Sequence, residues 1–105
     1  MTSFFMKVMN QRTERLITAC DKEIMSVSLM SNGVKICATP RFYGNELVTE
    51  SELLDELKNC TSANVIGTRV IELLLKNRLI HKDAILWLEY SEDKKKKVGH
   101  AIIIK

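Results

Sequence analysis

From residue 24 the chain reads Ile-Met-Ser-Val-Ser-Leu-Met, with Ile24, Ser26, Ser28 and Met30 on one face and Met25, Val27 and Leu29 on the other. That period of two predicts a strand over 24–30. In Ser31-Asn32-Gly33 the Asn-Gly pair tolerates positive φ, so a tight turn should lead into a returning strand over 34–38. Upstream, residues 4–9 alternate weakly and 15–19 follow the polar break Asn10-Gln11-Arg12-Thr13-Glu14, which predicts a first hairpin. Pro40 ends the strand before it, and residues 41–48 read as irregular, with Gly44 and Asn45 suited to a turn.

The period then changes. Thr49 followed by Glu52 has capping-box spacing, and Leu53, Leu54 and Leu57 recur at helical intervals before Asn59, predicting a first helix. A second is predicted over 62–77, where Ala63, Ile66, Val70, Leu73 and Leu74 form an apolar stripe behind Thr61 or Ser62 as N-cap. After a turn at 81–83, residues 84–90 are short, apolar and aromatic, and 98–105 carry an isoleucine run, so both read as strands. The expected fold class is α+β: a small antiparallel or mixed β-sheet with two main helices packed on one face.

With 105 residues the chain has room for one core, and a single domain over 1–105 is expected. A net charge of +3 permits a polyanionic partner without requiring one. Its sharpest local expression is Lys94, Lys95, Lys96 and Lys97, which read either as a solvated hairpin tip or as a phosphate-contacting finger. Cys20, Cys37 and Cys60 are odd in number and widely spaced, which suggests reduced thiols rather than a disulfide framework or a zinc knuckle. His81 and His100 lack metal-ligand spacing, and no phosphate loop, dinucleotide fingerprint or nucleophile elbow is present. No metal and no cofactor is therefore expected, and enzyme function is the minority reading. No apolar run is long enough to span a membrane and no signal peptide is recognisable, so the expected location is cytoplasmic.

Three clusters carry candidate chemistry. In Asn59–Val70 the predicted helix start, Ser62, Asn64 and the outward Arg69 suggest an anion-friendly surface, while Gly67 implies a close approach by a ligand, an RNA backbone or another strand. In Arg41-Phe42-Tyr43 a guanidinium lies beside two rings, an arrangement that stacks on unpaired bases and holds their phosphates, or plugs a core edge; Tyr43 is expected to be the more exposed ring. Cys20, Asp21 and His100 invite a hydrolase reading that their spacing does not support, with Cys20 expected as a small buried residue and Asp21 in a turn with Lys22.

Thr-Ala-Cys-Asp-Lys-Glu-Ile-Met (18–25), Phe-Tyr-Gly-Asn-Glu-Leu-Val (42–48), Cys-Thr-Ser-Ala-Asn-Val-Ile-Gly-Thr-Arg-Val-Ile-Glu-Leu-Leu (60–74) and Gly-His-Ala (99–101) resemble, in that order, the archaeal family called domain of unknown function 424. The resemblance places Cys20, Asp21, Phe42, Tyr43, Gly44, Ser62, Asn64, Gly67, Arg69 and His100 at the family's motif positions. Asn45, Arg78 and Ile102 depart from the pattern, which commonly has Gly, Gly and Gln there. A small archaeal family of this style resembles proteins that attend translation. The leading expectation is thus a non-enzymatic RNA-binding or ribosome-associated protein of archaeal translation, contacting ribosomal RNA through a basic surface, with no DNA specificity. Its alternatives are a small-ligand protein or enzyme with a pocket around Asn64, Arg69 and His100, and a protein-interaction subunit without nucleic acid.

Overall fold

The computed structural model describes residues 2–105. β1 (Thr2–Gln11) and β2 (Glu14–Asp21) form the expected hairpin, closed by a two-residue turn at which Arg12 takes a φ of 56°. β3 (Ser28–Ser31) and β4 (Val34–Cys37) form the second, and Asn32 and Gly33 both adopt positive φ between them, as their residue types favour. α1 (Pro40–Tyr43), β5 (Glu46–Thr49) and α2 (Glu50–Lys58) follow. In α2 the hydroxyl of Thr49 accepts from the Glu52 backbone N–H while the Glu52 carboxylate accepts from the Thr49 N–H, the capping box its spacing predicts. β6 (Ser62–Ile66), α3 (Thr68–Lys76), β7 (Leu86–Tyr90) and β8 (Lys97–Ile104) complete the chain.

All eight strands join one sheet in the order β4-β3-β7-β8-β6-β2-β1-β5. The β2–β6 pairing is parallel and the others are antiparallel, so the sheet is mixed. This corrects the expected fold. Strand accounts for 46% of the chain against 27% helix, so the molecule is dominated by a large sheet carrying short helices, not a small sheet built on two main helices.

Three local readings change with it. Residues 62–66, predicted as the start of a long helix, form β6; Ala63, Val65 and Ile66 are buried there, between neighbours on both edges. The alternation Ser-Ala-Asn-Val is the pattern of a strand with one closed face, and the helical stripe at 70–74 masked it. Residues 41–48, predicted irregular, hold α1 and β5, while the predicted strand over 24–30 is real only from Ser28. Before Ser28 the chain makes a 3-10 turn over Lys22–Ile24 and bends at Ser26, whose φ is 67°.

Each face of the sheet carries its own apolar cluster. Ile17, Ala19, Ala63, Val65 and Ala101 meet Leu53 and Leu57 of α2 and Val70, Ile71 and Leu74 of α3 on one. On the other, Cys20, Ile66, Leu88 and Val98 pack with Ile24, Leu29, Ala38 and Tyr43. Alternation along β2 and β6 assigns residues to faces: Thr18 and Cys20, and opposite them Asn64 and Ile66, share the second face. That face is covered by loop and by the four residues of α1, so it is the thinner side.

Candidate functional site

Three side chains from three separate elements converge on the second face. Asn64 of β6, Tyr43 at the end of α1 and His100 of β8 meet at the Asn64 amide oxygen, which accepts the Tyr43 hydroxyl at 2.7 Å and lies 3.0 Å from His100 Nε2. An amide oxygen only accepts, so with this amide orientation His100 carries its proton on Nε2 and presents Nδ1 as an acceptor. Burial holds the His100 pKa below the ordinary 6.5, and the ring is neutral at physiological pH. Burial also raises the Tyr43 pKa, keeping the phenol a donor.

Tyr43 and His100 line a cavity of about 260 Å³ whose other walls are Ile36, Cys37, Ala38, Phe42, Ile66, Leu86 and Leu88. Among the described residues no charged side chain lines it. At its rim Phe42 stands edge-on to Tyr43, with ring centroids 4.8 Å apart, and is 41% exposed. Tyr43 is only 6% exposed, which reverses the expected order of the two rings. The short helix explains it: the Thr18 hydroxyl donates to the Phe42 carbonyl at 2.7 Å, clamping α1 to the sheet with Tyr43 turned inward.

The predicted anion site at Gly67 and Arg69 has a different outcome. Asp21, 1% exposed at the end of β2, accepts the backbone N–H groups of Arg69 at 2.7 Å and Val70 at 2.8 Å, so the start of α3 is capped from another strand. A Cβ on Gly67 would lie 2.3 Å from the Asp21 carboxyl carbon, and its φ of 142° is a conformation that favours glycine. The close approach inferred at Gly67 is thus made by the protein's own carboxylate. Arg69 is also engaged: its Nε donates to Glu23 at 2.8 Å, Nη2 donates to the Ser3 carbonyl at 2.8 Å, and the guanidinium lies 5.0 Å from the centre of the Phe4 ring. It belongs to an internal network, not to the cavity, and the pocket expected around Asn64, Arg69 and His100 loses its arginine. The Asp21 pKa is raised by burial against the pull of its two N–H donors, whereas Glu23 is lowered chiefly by its hydrogen bond to Arg69.

The hydrolase arrangement does not form. Cys20 lies on the same face as His100 but one strand beyond Ile66, which pairs with both. Burial and the neighbouring Asp21 push the Cys20 thiol up to about 12, and it donates to the Asp21 carbonyl. A thiol held protonated is no nucleophile. Ser62 sits half-buried two residues before Asn64 on the same face, away from the cavity wall. Arg41 is exposed on α1; Lys94, Lys95 and Lys96 form the exposed tip between β7 and β8, where Lys96 lies 5.9 Å from the Tyr90 ring centre, and Lys97, also exposed, opens β8 opposite Glu89. No cluster of metal-ligating side chains is present among the described residues.

The family described as "Protein of unknown function (DUF424)" matches residues 9–100, a span holding Asp21, Tyr43, Asn64, Gly67 and His100. The chain belongs to this archaeal family. A crystal structure of an uncharacterized conserved protein from Methanopyrus kandleri is similar with a TM-score of 0.70 and 14% identity, over 95% of this chain and 89% of that one. At that identity the likeness concerns the fold alone. No curated protein matches at a significant level. Among the described residues no helix is long and apolar enough to cross a membrane.

Sequence reasoning missed Lys7, Leu86, Leu88 and Cys37 as neighbours of the family motif. Lys7 left one signal, a single cation inside the apolar run Phe4-Phe5-Met6-Lys7-Val8-Met9. Leu86 and Leu88 left none, because only strand pairing brings β7 beside His100.

Proposed function

We propose that this protein is a non-enzymatic, cytoplasmic RNA-binding protein that takes one unpaired base into the Tyr43–Asn64–His100 cavity, in a translation-associated role. The observation that carries the reading is the cavity's combination of apolar, uncharged walls with His100, a wall residue whose Nδ1 has no hydrogen-bond partner among the described residues and whose ring is held by Asn64 from behind the wall. An acceptor set among apolar walls suits a donor on the edge of a neutral planar ring. Size supports the same choice. About 260 Å³ is below the roughly 300–1,000 Å³ typical of drug-sized pockets, so the cavity suits one base presented from a longer chain better than a whole cofactor. Phe42, half-exposed at the rim, offers a stacking surface for that base or its neighbour.

The test is fluorescence anisotropy with single-stranded RNA decamers. His100→Ala and Phe42→Ala should each weaken binding about tenfold, as loss of one hydrogen bond or one stacking partner implies. Binding should also weaken as pH falls through the His100 pKa, which burial holds below the ordinary 6.5, because the ring gains a proton on Nδ1 and ceases to accept. Wild-type protein with no affinity for RNA, ribosomes or ribosomal RNA would overturn the reading. The cavity's small size also favours a second reading, a free single-ring ligand; saturable binding of nucleosides or other small heterocycles, with none of RNA, would select it.

A further inference from the structure

α1 separates two openings of opposite character. Phe42 and Tyr43 face the uncharged cavity, while Pro40 and Arg41 line a groove of about 560 Å³ on the other side, shared with Lys7 and Glu46. Lys7 Nζ donates to the Arg41 carbonyl at 2.9 Å, which holds the ammonium at the groove and leaves two of its three N–H groups available. The Arg41 guanidinium has no carboxylate or carbonyl partner among the described residues, unlike Arg15 and Arg69, which are paired with Glu56 and Glu23. Gly44 draws the two cations together. A Cβ there would meet the Met6 carbonyl oxygen at 2.7 Å, so the turn after α1 lies directly on β1.

A row of paired residues also leads from the groove to Asn64, which holds Tyr43 and His100 of the cavity wall. Lys7 pairs with Thr18, and Thr18 pairs with Asn64, in one row across β1, β2 and β6. Two strand spacings put the Lys7 and Asn64 backbones roughly 10 Å apart on the same face.

We infer that the Lys7–Arg41 groove binds the phosphate of the nucleotide whose base occupies the cavity, with α1 as the saddle between them. This rests on the RNA reading above and adds a backbone site to it. The two parts differ in what they sense: the groove reads charge, and the cavity reads the base. Glu46 opposes an anion there, so it limits affinity rather than creating it.

The experiment measures binding of RNA decamers and of the four nucleoside monophosphates to full-length protein across a salt series. In the Lys7→Gln/Arg41→Gln variant the slope of log K against log salt should flatten by about 0.7 for each phosphate that the groove no longer neutralises, with about tenfold weaker binding at low salt. Glu46→Gln should strengthen binding, and His100→Ala should weaken it with the slope unchanged. Both cations are outside the apolar core, so folding survives, and Arg41→Lys should restore part of the slope. Monophosphate binding that depends on Lys7 and Arg41 would identify a free nucleotide as a source of the phosphate; dependence seen with the decamer alone would identify the strand. RNA binding with an unchanged slope in the double variant overturns the groove and leaves the cavity standing. Absence of binding by the wild type to every probe overturns both.

Discussion

Asn64 and Gly67 are three residues apart, yet they serve two polar clusters that differ in how fully their groups are partnered. Around Gly67 every strong group has a partner inside the protein: Asp21 caps α3, and Arg69 answers Glu23, Ser3 and Phe4. Around Asn64 the partners are neutral and incomplete, because one amide oxygen serves both Tyr43 and His100 and leaves His100 Nδ1 and Asn64 Nδ2 open among the described residues. A saturated, charged cluster joins elements. An unsaturated, neutral one beside a cavity supports the binding role proposed for it. The boundary between them is Ile66-Gly67, where strand gives way to helix.

The contrast between the clusters breaks most readily at Gly67. Gly67→Ala should destabilise the protein by roughly 2–6 kcal/mol, since a strained backbone and a forced displacement of Asp21 each cost about 1–3 kcal/mol. Urea unfolding measures it, and a cost below about 1 kcal/mol would mean that the glycine does not serve the carboxylate. Asp21→Ala comes next, with about 1–3 kcal/mol lost as two backbone donors lose their acceptor. Its pH dependence is distinctive. The folded pKa of Asp21 lies above the ordinary 3.8, so the native state holds the proton more tightly and this group's contribution to stability declines as pH rises from 3.8 through the folded value. Glu23, lowered below 4.5 in the folded state, contributes in the opposite sense, losing its stabilisation as pH falls through its folded value. Asp21→Asn should remove the first slope and leave the second; identical profiles for wild type and variant would show that Asp21 does not titrate as described.

The smallest stability effect belongs to the cavity. Tyr43→Phe should cost about 0.5–1.5 kcal/mol, the ordinary worth of one hydrogen bond, and should shift the His100 ring signals in an NMR pH titration because both residues share the Asn64 oxygen. A Gly67-sized loss would show that the cavity cluster, too, is primarily a fastening.

Where two adjacent signals agreed, the elements were legible. Asn32-Gly33 marked a hairpin and Thr49 with Glu52 marked a helix start, because each depends on interactions within four residues. Ser62–Ile66 was misread because its edges are completed by β2 and β8, which lie some 40 residues away on either side and leave no local mark. Most of the site was legible as a set of motif residues but not as an arrangement. His100 was expected near Asn64 and lies there, Tyr43 joins them through the fold, and Arg69, expected in the same pocket, engages another network.

By itself the sequence determined the local punctuation, the capped helix α2, the hairpin turns and the family membership carried by Phe42-Tyr43-Gly44 and Ser62-Ala63-Asn64. Turn and cap energies are short-range, so residue types a few positions apart suffice to specify them. Only the tertiary structure decided that Asp21 would fill the start of α3, that Tyr43 would face inward and Phe42 outward, and that Lys7 and Arg41 would stand across α1 from His100. Those outcomes depend on which distant strands become neighbours, and that is set by burial of both sheet faces together rather than by any one segment.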